Sequence, residues 1–434
     1  MTNERAYLTQ VLTATPRDFA QAVKSADGDA ERVLRVHFGD SLFERMQQLA
    51  QNVTATPAGN VVMLPGILGS SLYENAEHIW LSPWDIILGK FDQLPLDGGG
   101  ASLNPIQAPN LLKKYYGEMQ LTLLNHWKVV SFPYDWRLEI RASAQGLKKQ
   151  IDTILGPGAK FSFAVHSMGG LVARSYLQQF PEDWDRVQRF IMMGTPNYGS
   201  FAIPVLYSGL NNVMKIVALL DQQHHMADLL QYAKTFVGTY EMQPFVGKTP
   251  DAIRLLDPAV YDPLEPAQDR FDNARSFQQQ IAPAIKPELM TYIAGYGFKT
   301  ADGIANWGKM QSWEGYHQTL NGDGTVPHAL GFIDNVTNYF VEVEHSSLPA
   351  DSRVIQAVVD IISEGSTTAL PTTMPPIEAL NQTLLQTERI AEAALRDARV
   401  HLLRDIVRLE RVAHPDKVSQ SESELNDFLY TNSI

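Results

Sequence analysis

Six short runs of apolar and β-branched residues, separated by longer helical or irregular stretches, constrain the fold of this chain more than any other feature. The runs are VVML (61–64), WKVVSF (127–132), FSFAV (161–165), RFIMM (189–193), LMTYIAG (289–295) and NYFVEVE (338–344). Continuous apolar strands that alternate with helices are typical of a parallel sheet buried on both faces. The sequence therefore predicts an α/β fold with a mostly parallel, doubly wound sheet, whose functional residues lie at the carboxyl ends of the strands.

The connections between these strands divide the sequence further. About 60 residues separate the first two strands and about 95 separate the fourth and fifth, lengths that a compact domain rarely leaves without structure. We therefore predict helical cap insertions at about 72–125 and 200–288. Helical spacing of apolar residues also predicts extra helices at both termini, including a long one from Glu378 to about Val412. The predicted parts are an N-terminal helical segment (1–55), the α/β domain (56–368), and a Thr/Pro-rich linker with a C-terminal helical tail (369–434).

Charge and residue content exclude several classes of function. The protein has 35 Lys and Arg against 48 Asp and Glu, a net charge of −13, and no dense basic run, so we expect no nucleic-acid partner. It has no cysteine, which excludes disulfides, thiol catalysis and cysteine-ligated metals. No basic segment followed by an apolar one opens the sequence, and no uninterrupted apolar run reaches about 18 residues. We expect no signal peptide, no transmembrane span and a cytoplasmic location, with signal-independent export as the alternative.

The stretch FSFAVHSMGGLVARSYLQQF places Ser167 at a tight turn between a buried strand and an amphipathic helix. A nucleophile elbow has this form, and it needs small residues two positions before and two positions after the serine. Gly169 meets that requirement, whereas Val165 does not. A serine that merely caps a helix gives a similar pattern, so the choice depends on other parts of the sequence.

An acyl-transfer serine needs a histidine base and a carboxylate that orients the base. On this architecture the three follow in the order Ser, Asp, His, with the last two at the ends of late strands. Asp323 lies in the loop NGDGTVP after the fifth run, and His345 follows the sixth run directly. We therefore predict that Ser167, Asp323 and His345 are catalytic. The alternatives are His328 as the base and Asp302 or Asp334 as the acid, and we expect a structural role for His166.

A series of motifs over roughly 60–365 resembles the lecithin:cholesterol acyltransferase-like family of α/β-hydrolases. They are VVMLPGILGSSLYE, IWLSPW, FPYDWRL, HSMGGLVAR, GTPNYGS, TYEMQPF, NGDGTVP and EHSSLPAD. The resemblance implies the α/β-hydrolase fold, a lipase or acyltransferase activity on phospholipid or other lipid esters, and the same three catalytic residues. The sequence departs from the family's pattern at Val165 in the elbow, and it lacks the cysteines of the family's extracellular members.

The same resemblance suggests where an oxyanion would bind. Two backbone N–H groups must point at the developing charge, one from the residue after the nucleophile and one from the loop after an early strand. These are the N–H groups of Met168, at a helix N-terminus, and of Ile67 in PGILGS. Such chemistry needs no metal and no organic cofactor.

Two apolar segments of the insertions have two interpretations each. Trp80 and Trp84 are predicted to bind substrate by lining an acyl pocket, or else to form the core of a small cap. The segment 201–220 is aliphatic, but Asn211, Asn212 and Lys215 interrupt it. It is either a cover over an acyl pocket or a plain core helix of the insertion.

Apolar residues recur at three- and four-residue spacing on one face of the predicted C-terminal helix. They are Leu380, Leu384, Ala391, Leu395, Leu402, Ile406 and Leu409. Such a stripe has to be buried. We predict that it docks in an assembly, with a second copy or another protein, rather than on the body.

The sequence thus favours a serine lipase or esterase that acts on lipid esters, above all phospholipid, at a membrane surface. The reaction would pass through an acyl-enzyme and end in hydrolysis or acyl transfer. The alternative is a non-catalytic binding or regulatory protein that retains the α/β-hydrolase fold.

Overall fold

The computed structural model describes residues 3–74, 77–80, 82–375 and 382–431. Its strands are β1 (Asn60–Leu64), β2 (Leu72–Glu74), β3 (Glu77–Trp80), β4 (Ile106–Gln107), β5 (Lys128–Ser131), β6 (Phe161–His166), β7 (Val187–Met193), β8 (Met290–Gly295), β9 (Thr300–Ile304), β10 (Tyr316–Thr319) and β11 (Thr337–Val341). Six of them form one sheet in the order β11-β8-β7-β6-β1-β5, and every neighbouring pair is parallel. This is the sheet that the six apolar runs predict.

Helices flank this sheet and fill the connections. They are α1 (Glu4–Thr13), α2 (Pro16–Lys24), α3 (Gly28–Phe38), α4 (Asp40–Gln51), α5 (Pro83–Ile87), α6 (Lys113–Leu124), α7 (Ile140–Leu155), α8 (Met168–Gln179), α9 (Ala202–Tyr207), α10 (Asn212–Leu220), α11 (Met226–Ala233), α12 (Val237–Tyr240), α13 (Gln268–Ile281), α14 (His328–Gly331), α15 (Ser352–Glu364), α16 (Gln382–Ala413) and α17 (Gln420–Thr431). Among them α6, α8 and α15 pack against strands of the sheet, and α7 packs against α8.

The central strand β6 shows why these residues form a parallel sheet. It lies between β1 and β7, and all six of its side chains are buried, as a strand covered on both faces requires. The last strand ends earlier than its sequence pattern predicts. The N–H of Val343 bonds to the C=O of Val341, so the backbone turns at this point and brings His345 back toward the sheet edge.

The two long connections carry structure of their own. The first holds a small antiparallel sheet in the order β3-β2-β4, and the second holds helices α9 to α13. Outside both connections, β9 and β10 form a hairpin after β8. Sequence periodicity does not predict these strands, because two to five residues are too few to establish an alternation.

One segment of the second connection has an unusual composition. Within the described residues Ala202–Leu220 is long and apolar enough to cross a membrane. The structure divides it into the short helices α9 and α10, joined around Gly209, whose φ is 72°. A span needs about 20 residues of continuous helix, and half of this segment is buried inside the protein. The segment is therefore a packed part of the cap.

The C-terminal helices pack on the body. Helix α16 contacts α10, and α17 contacts α3, α5 and α10. The carboxylate of Glu4, which is buried on α1, accepts hydrogen bonds from Lys417, Arg32 and the N–H of Val418. The C-terminal segment is thereby tied to the N-terminal helix.

Helix α16 packs on the body by residues outside the predicted apolar stripe. Val400, Leu403 and Val407 are buried, whereas Leu402 is 61% exposed and Leu409 73% exposed. Leu402 and Leu409, two residues of the predicted stripe, are therefore not covered by the body of the protein. Leu380 lies outside the described residues, as do the side chains of Leu384, Ala391 and Leu395. Docking of the exposed face in an assembly stays a prediction.

Candidate active site

Ser167 lies at a sharp turn between β6 and α8. Its backbone has φ 53° and ψ −128°, a left-handed conformation that a residue other than glycine adopts only when its surroundings enforce it. A Cβ added at Gly169 would lie 2.5 Å from the C=O oxygen of Pro65, so this position requires glycine. Helix α8 and the end of β1 approach each other there, and the buried Val165 is accommodated inside β6. The local geometry is that of a nucleophile elbow.

Three side chains that lie far apart in the sequence meet at this turn. His345 Nε2 is 2.8 Å from Ser167 Oγ, and His345 Nδ1 is 2.7 Å from Asp323 Oδ2. A carboxylate only accepts, so Nδ1 carries the proton and Nε2 is left to accept from the serine hydroxyl. The imidazole is therefore in the tautomer that can take a proton from Ser167.

Hydrogen bonds from backbone N–H groups fix the carboxylate of Asp323. Its Oδ1 accepts from the N–H groups of Thr325 at 3.0 Å and Val326 at 2.7 Å, which leaves Oδ2 for the histidine. The backbones of the two residues are joined as well, since the N–H of His345 donates to the C=O of Asp323 at 2.9 Å. These bonds hold the acid and the base in one arrangement before any substrate binds.

The alternative residues lie elsewhere. His328 Nε2 bonds to the C=O of Gly295 at 2.8 Å, and its ring stacks on Phe332. The side chains of Asp302 and Asp334 are exposed on the surface. The structure therefore brings Ser167, Asp323 and His345 together and leaves these three residues outside the cluster.

The loop after β1 lies directly against the serine. A Cβ added at Gly66 would be 2.8 Å from Ser167 Cβ, so only glycine permits this approach. The adjacent N–H groups of Ile67 and Met168 donate no hydrogen bond to any described residue. Two free donors beside the nucleophile, one of them at the N-terminus of α8, are what an oxyanion requires.

Side-chain hydrogen bonds hold this loop in shape. Tyr134 OH donates to the C=O of Pro65 at 2.9 Å, and the indole N–H of Trp80 donates to the C=O of Leu68 at 3.1 Å. Leu68 itself has a φ of 63°, a left-handed conformation that costs about 1 kcal/mol or more for a leucine. The two side chains offset that strain, and the loop is preorganised.

An apolar cavity begins at the same loop. Ile67, Leu68 and Trp80 line one part of it. The remainder is lined mainly by apolar side chains of the two insertions, including Phe91, Trp136, Ile203, Leu206, Val213, Met214 and Phe236. Trp84 is not among the lining residues; its ring lies 5.4 Å from the guanidinium of Arg411 on α16. The two tryptophans that the sequence groups together thus lie in different surroundings.

The three polar side chains of the site are closed off from solvent. Ser167 is 2% exposed, Asp323 2% and His345 1%. Helices α9 and α10 line the cavity that begins at Ile67, and α16 packs against α10. A substrate therefore requires some part of the cap to move.

The polypeptide carries a known family signature across this region. Residues 121–286 match the family model of lecithin:cholesterol acyltransferase. The resemblance drawn from the sequence motifs is confirmed for this segment, which includes Ser167 and the second insertion. The family match supports an ester hydrolase or acyltransferase as the class of enzyme. No curated protein matches the sequence.

The solved structures that this protein matches include a lipase and a carboxyl esterase. One protein of the Tle4-Tli4 complex has 14% identity and a TM-score of 0.47, with 72% of this protein and 100% of that one covered. The lipase BlEst2 of Bacillus licheniformis in its mature form has 16% identity and a TM-score of 0.34, with 72% and 96% covered. The metagenomic carboxyl esterase MGS0156 has 12% identity and a TM-score of 0.34, with 68% and 67% covered. The parallel sheet, flanking helices and elbow after β6 make this an α/β-hydrolase fold, as predicted.

Two residues that support the site escape sequence reasoning. Tyr116 on α6 and Tyr134 after β5 reach the loop of residues 65–69 from separate parts of the sequence. Tyr134 lies in the quoted motif FPYDWRL, but the motif does not indicate which loop its hydroxyl reaches, and Tyr116 belongs to no quoted motif. Tyr116 contacts the loop of residues 65–69 only because α6 packs next to it.

A buried carboxyl at the end of α12 predicts how stability depends on pH. Glu241 is fully buried, and one oxygen accepts from the N–H of Ile140 at 2.6 Å. The other has no hydrogen-bond partner among the described residues, and Arg141 Nε lies 3.9 Å away. Burial raises the pKa of Glu241 to about 8 from an ordinary value of 4.5.

Because the folded state holds this proton more tightly, its contribution to stability is complete below about pH 4.5 and is lost as the pH rises toward 8. We expect the free energy of unfolding to fall by about 1.4 kcal/mol per pH unit from this group within that window. Glu241→Gln, which cannot ionise, should flatten that slope. Urea unfolding at pH 5, 6, 7 and 8 measures it, and equal slopes in both proteins would contradict the assignment.

Proposed function

We propose that this protein is a serine lipase or esterase that forms an acyl-enzyme on Ser167 with acyl groups from lipid esters. The observation that carries the proposal is the continuous series of hydrogen bonds from Ser167 Oγ through His345 to Asp323. A serine at a strained elbow, with a base and an oriented acid in this order, is the arrangement that acyl transfer needs.

In the proposed reaction Ser167 Oγ attacks the ester carbonyl carbon while His345 Nε2 takes its proton. Asp323 holds the imidazole and stabilises the imidazolium that forms. The carbonyl oxygen becomes an oxyanion that accepts from the N–H groups of Ile67 and Met168. His345 then protonates the departing alcohol. Water or a second alcohol, deprotonated by His345, releases the acyl group by the same steps in reverse.

The apolar cavity suggests the substrate class. It adjoins Ile67, whose N–H would bind the oxyanion, so a carbonyl held there could direct its acyl group into the cavity. Aliphatic and aromatic walls favour a long hydrocarbon over a small polar acyl group. With the family match, this makes a lipid ester the proposed substrate, and phospholipid is the first to test.

A fluorophosphonate probe tests the proposal directly. It should label the wild-type protein covalently and leave Ser167→Ala unlabelled, because the probe requires an activated serine. A protein that is folded but unlabelled would instead indicate a non-catalytic binding protein with this fold. Vesicles of defined phospholipid incubated with each protein, and analysed by mass spectrometry for released fatty acid or transferred acyl groups, then identify the ester.

The cavity wall on α10 offers a matched test of chain-length preference. Val213 and Val217 are both buried on that helix, but only Val213 lines the cavity. Val213→Thr puts a hydroxyl beside the acyl group, at a cost of about 1–3 kcal/mol if it stays unpaired. We expect kcat/KM for a long-chain ester to fall about tenfold while a short-chain ester is little affected.

The control Val217→Thr makes the same chemical change in the core. It should lower the melting temperature without altering the ratio of long- to short-chain activity. If both variants change long- and short-chain activity equally, α10 is a plain core helix and the proposed acyl pocket lies elsewhere.

A further inference from the structure

The histidine that precedes the nucleophile is bonded at both ring nitrogens. His166 Nδ1 lies 2.9 Å from Tyr116 OH, and Nε2 lies 2.9 Å from the backbone carbonyl oxygen of His345. Tyr116 OH also lies 3.0 Å from the backbone nitrogen of Gly66. All of these groups are buried, and neither His166 nor Tyr116 lines the apolar cavity.

The direction of each bond follows from its acceptor. A carbonyl cannot donate, so His166 Nε2 carries a hydrogen and donates to His345. The pKa of His166 is held well below its usual range by burial and by the neighbouring His345, so the ring is neutral and Nδ1 must accept. Tyr116 therefore donates its hydroxyl proton to Nδ1, and its oxygen accepts from the N–H of Gly66.

The result is one directed series of hydrogen bonds, from the Gly66 N–H through Tyr116 and His166 to the carbonyl of His345. The series begins at Gly66, and the next residue in that loop, Ile67, has the N–H proposed to bind the oxyanion. Its last group is the backbone of the residue that would act as the base. It passes beside Ser167 without touching the hydroxyl. All of these groups are buried, where polar atoms depend on hydrogen bonds within the protein rather than on water.

We propose that Tyr116 and His166 are positioning residues that fix the distance between the oxyanion loop and the backbone of His345. The inference rests on the proposed function of Ser167, His345 and Ile67. A substrate can bind even if the distance between the oxyanion loop and His345 is not exact. In the transition state, however, the ester carbonyl must contact both the nucleophile and the oxyanion donors, so the distance has to be correct. A misplacement of about 1 Å can cost on the order of a hundredfold in rate.

The test is Tyr116→Phe, which removes one hydroxyl and keeps the ring. Hydrolysis of a short-chain nitrophenyl ester gives kcat and KM, and titration with a fluorophosphonate gives the fraction of competent sites. We expect kcat per titrated site to fall roughly ten- to a hundredfold with KM within about twofold of the wild type. His166→Leu should lose at least as much, and the double variant should lose almost nothing further, because both side chains belong to one series of bonds.

Tyr176→Phe is the matched control. Tyr176 is equally buried on α8, and its hydroxyl bonds to Asp183, so its loss should lower the melting temperature and leave kcat per site unchanged. Unchanged kcat per site in Tyr116→Phe, an equal loss in Tyr176→Phe, or additive losses in the double variant would overturn the proposal. If His166→Leu does not fold, the comparison of Tyr116→Phe with its control Tyr176→Phe tests the proposal. A wild type that is neither labelled nor active overturns the proposed function and this inference with it, whereas an active wild type with an unaffected Tyr116→Phe overturns only the inference.

Discussion

Replacing Ser167 or His345 by alanine is expected to lower kcat for ester cleavage by on the order of 10⁴–10⁶, and the double variant to lose almost nothing further. The two side chains are 2.8 Å apart and would act in the same proton transfer, so either loss disables the same step. Initial rates per milligram of folded protein, with circular dichroism to show that the fold is retained, measure the effect. Losses that add in the double variant would mean that the two residues do not work as one unit.

The acid provides an internal control for this experiment. Asp323→Asn keeps the shape of the side chain but no longer favours the imidazole tautomer that accepts from the serine, so a smaller but still large loss is expected. Asp302→Asn and Asp334→Asn make the same chemical change at exposed positions away from the cluster. They should leave the rate nearly unchanged. A strong effect at either position would contradict the assignment of Asp323 as the catalytic acid.

Removal of residues 376–434 is expected to eliminate most of the stability of the protein. The C-terminal helices bury Val400, Leu403, Val407, Leu425 and Leu429. At about 1.5–3 kcal/mol each, these five side chains contribute roughly 7–15 kcal/mol, which is comparable with the whole stability of a typical domain. The cut would also remove two of the hydrogen-bond donors of Glu4 and leave that buried carboxylate with Arg32. Soluble yield and thermal unfolding of the shortened protein measure the loss.

Two neighbouring leucines of α16 lie on different sides of the helix, Leu403 toward the body and Leu402 toward the outside. Leu403 is 7% exposed and Leu402 is 61% exposed, so the same change to alanine has different expected costs. Leu403→Ala should destabilise by about 2–5 kcal/mol, and Leu402→Ala by no more than about 0.5 kcal/mol. If Leu402→Ala proves as costly, and the cost depends on protein concentration, then the outer side of α16 is buried in an assembly, as the sequence stripe predicts. A truncated protein as stable as the full one would contradict the packing of both helices.

The apolar runs and the order of Ser167, Asp323 and His345 are properties that the sequence by itself determined. A strand buried on both faces must be apolar along its length, so each of the six strands is visible in a window of a few residues. In a parallel sheet the strand ends gather at one edge, so residues that follow strands can be expected to meet. The elbow serine, the acid and the base could therefore be selected from local patterns and their order in the sequence alone.

Only the tertiary structure decided which side chains support these residues and which helix faces are covered. Helix α16 has apolar residues on more than one side, so periodicity alone could not tell that Leu403 would face the body and Leu402 would not. Trp80 and Trp84 are four residues apart, yet one holds the loop beside Ser167 and the other meets Arg411. Tyr116 reaches His166 across 50 positions of sequence. Such contacts depend on how whole elements pack against one another, and no local window of sequence contains both partners.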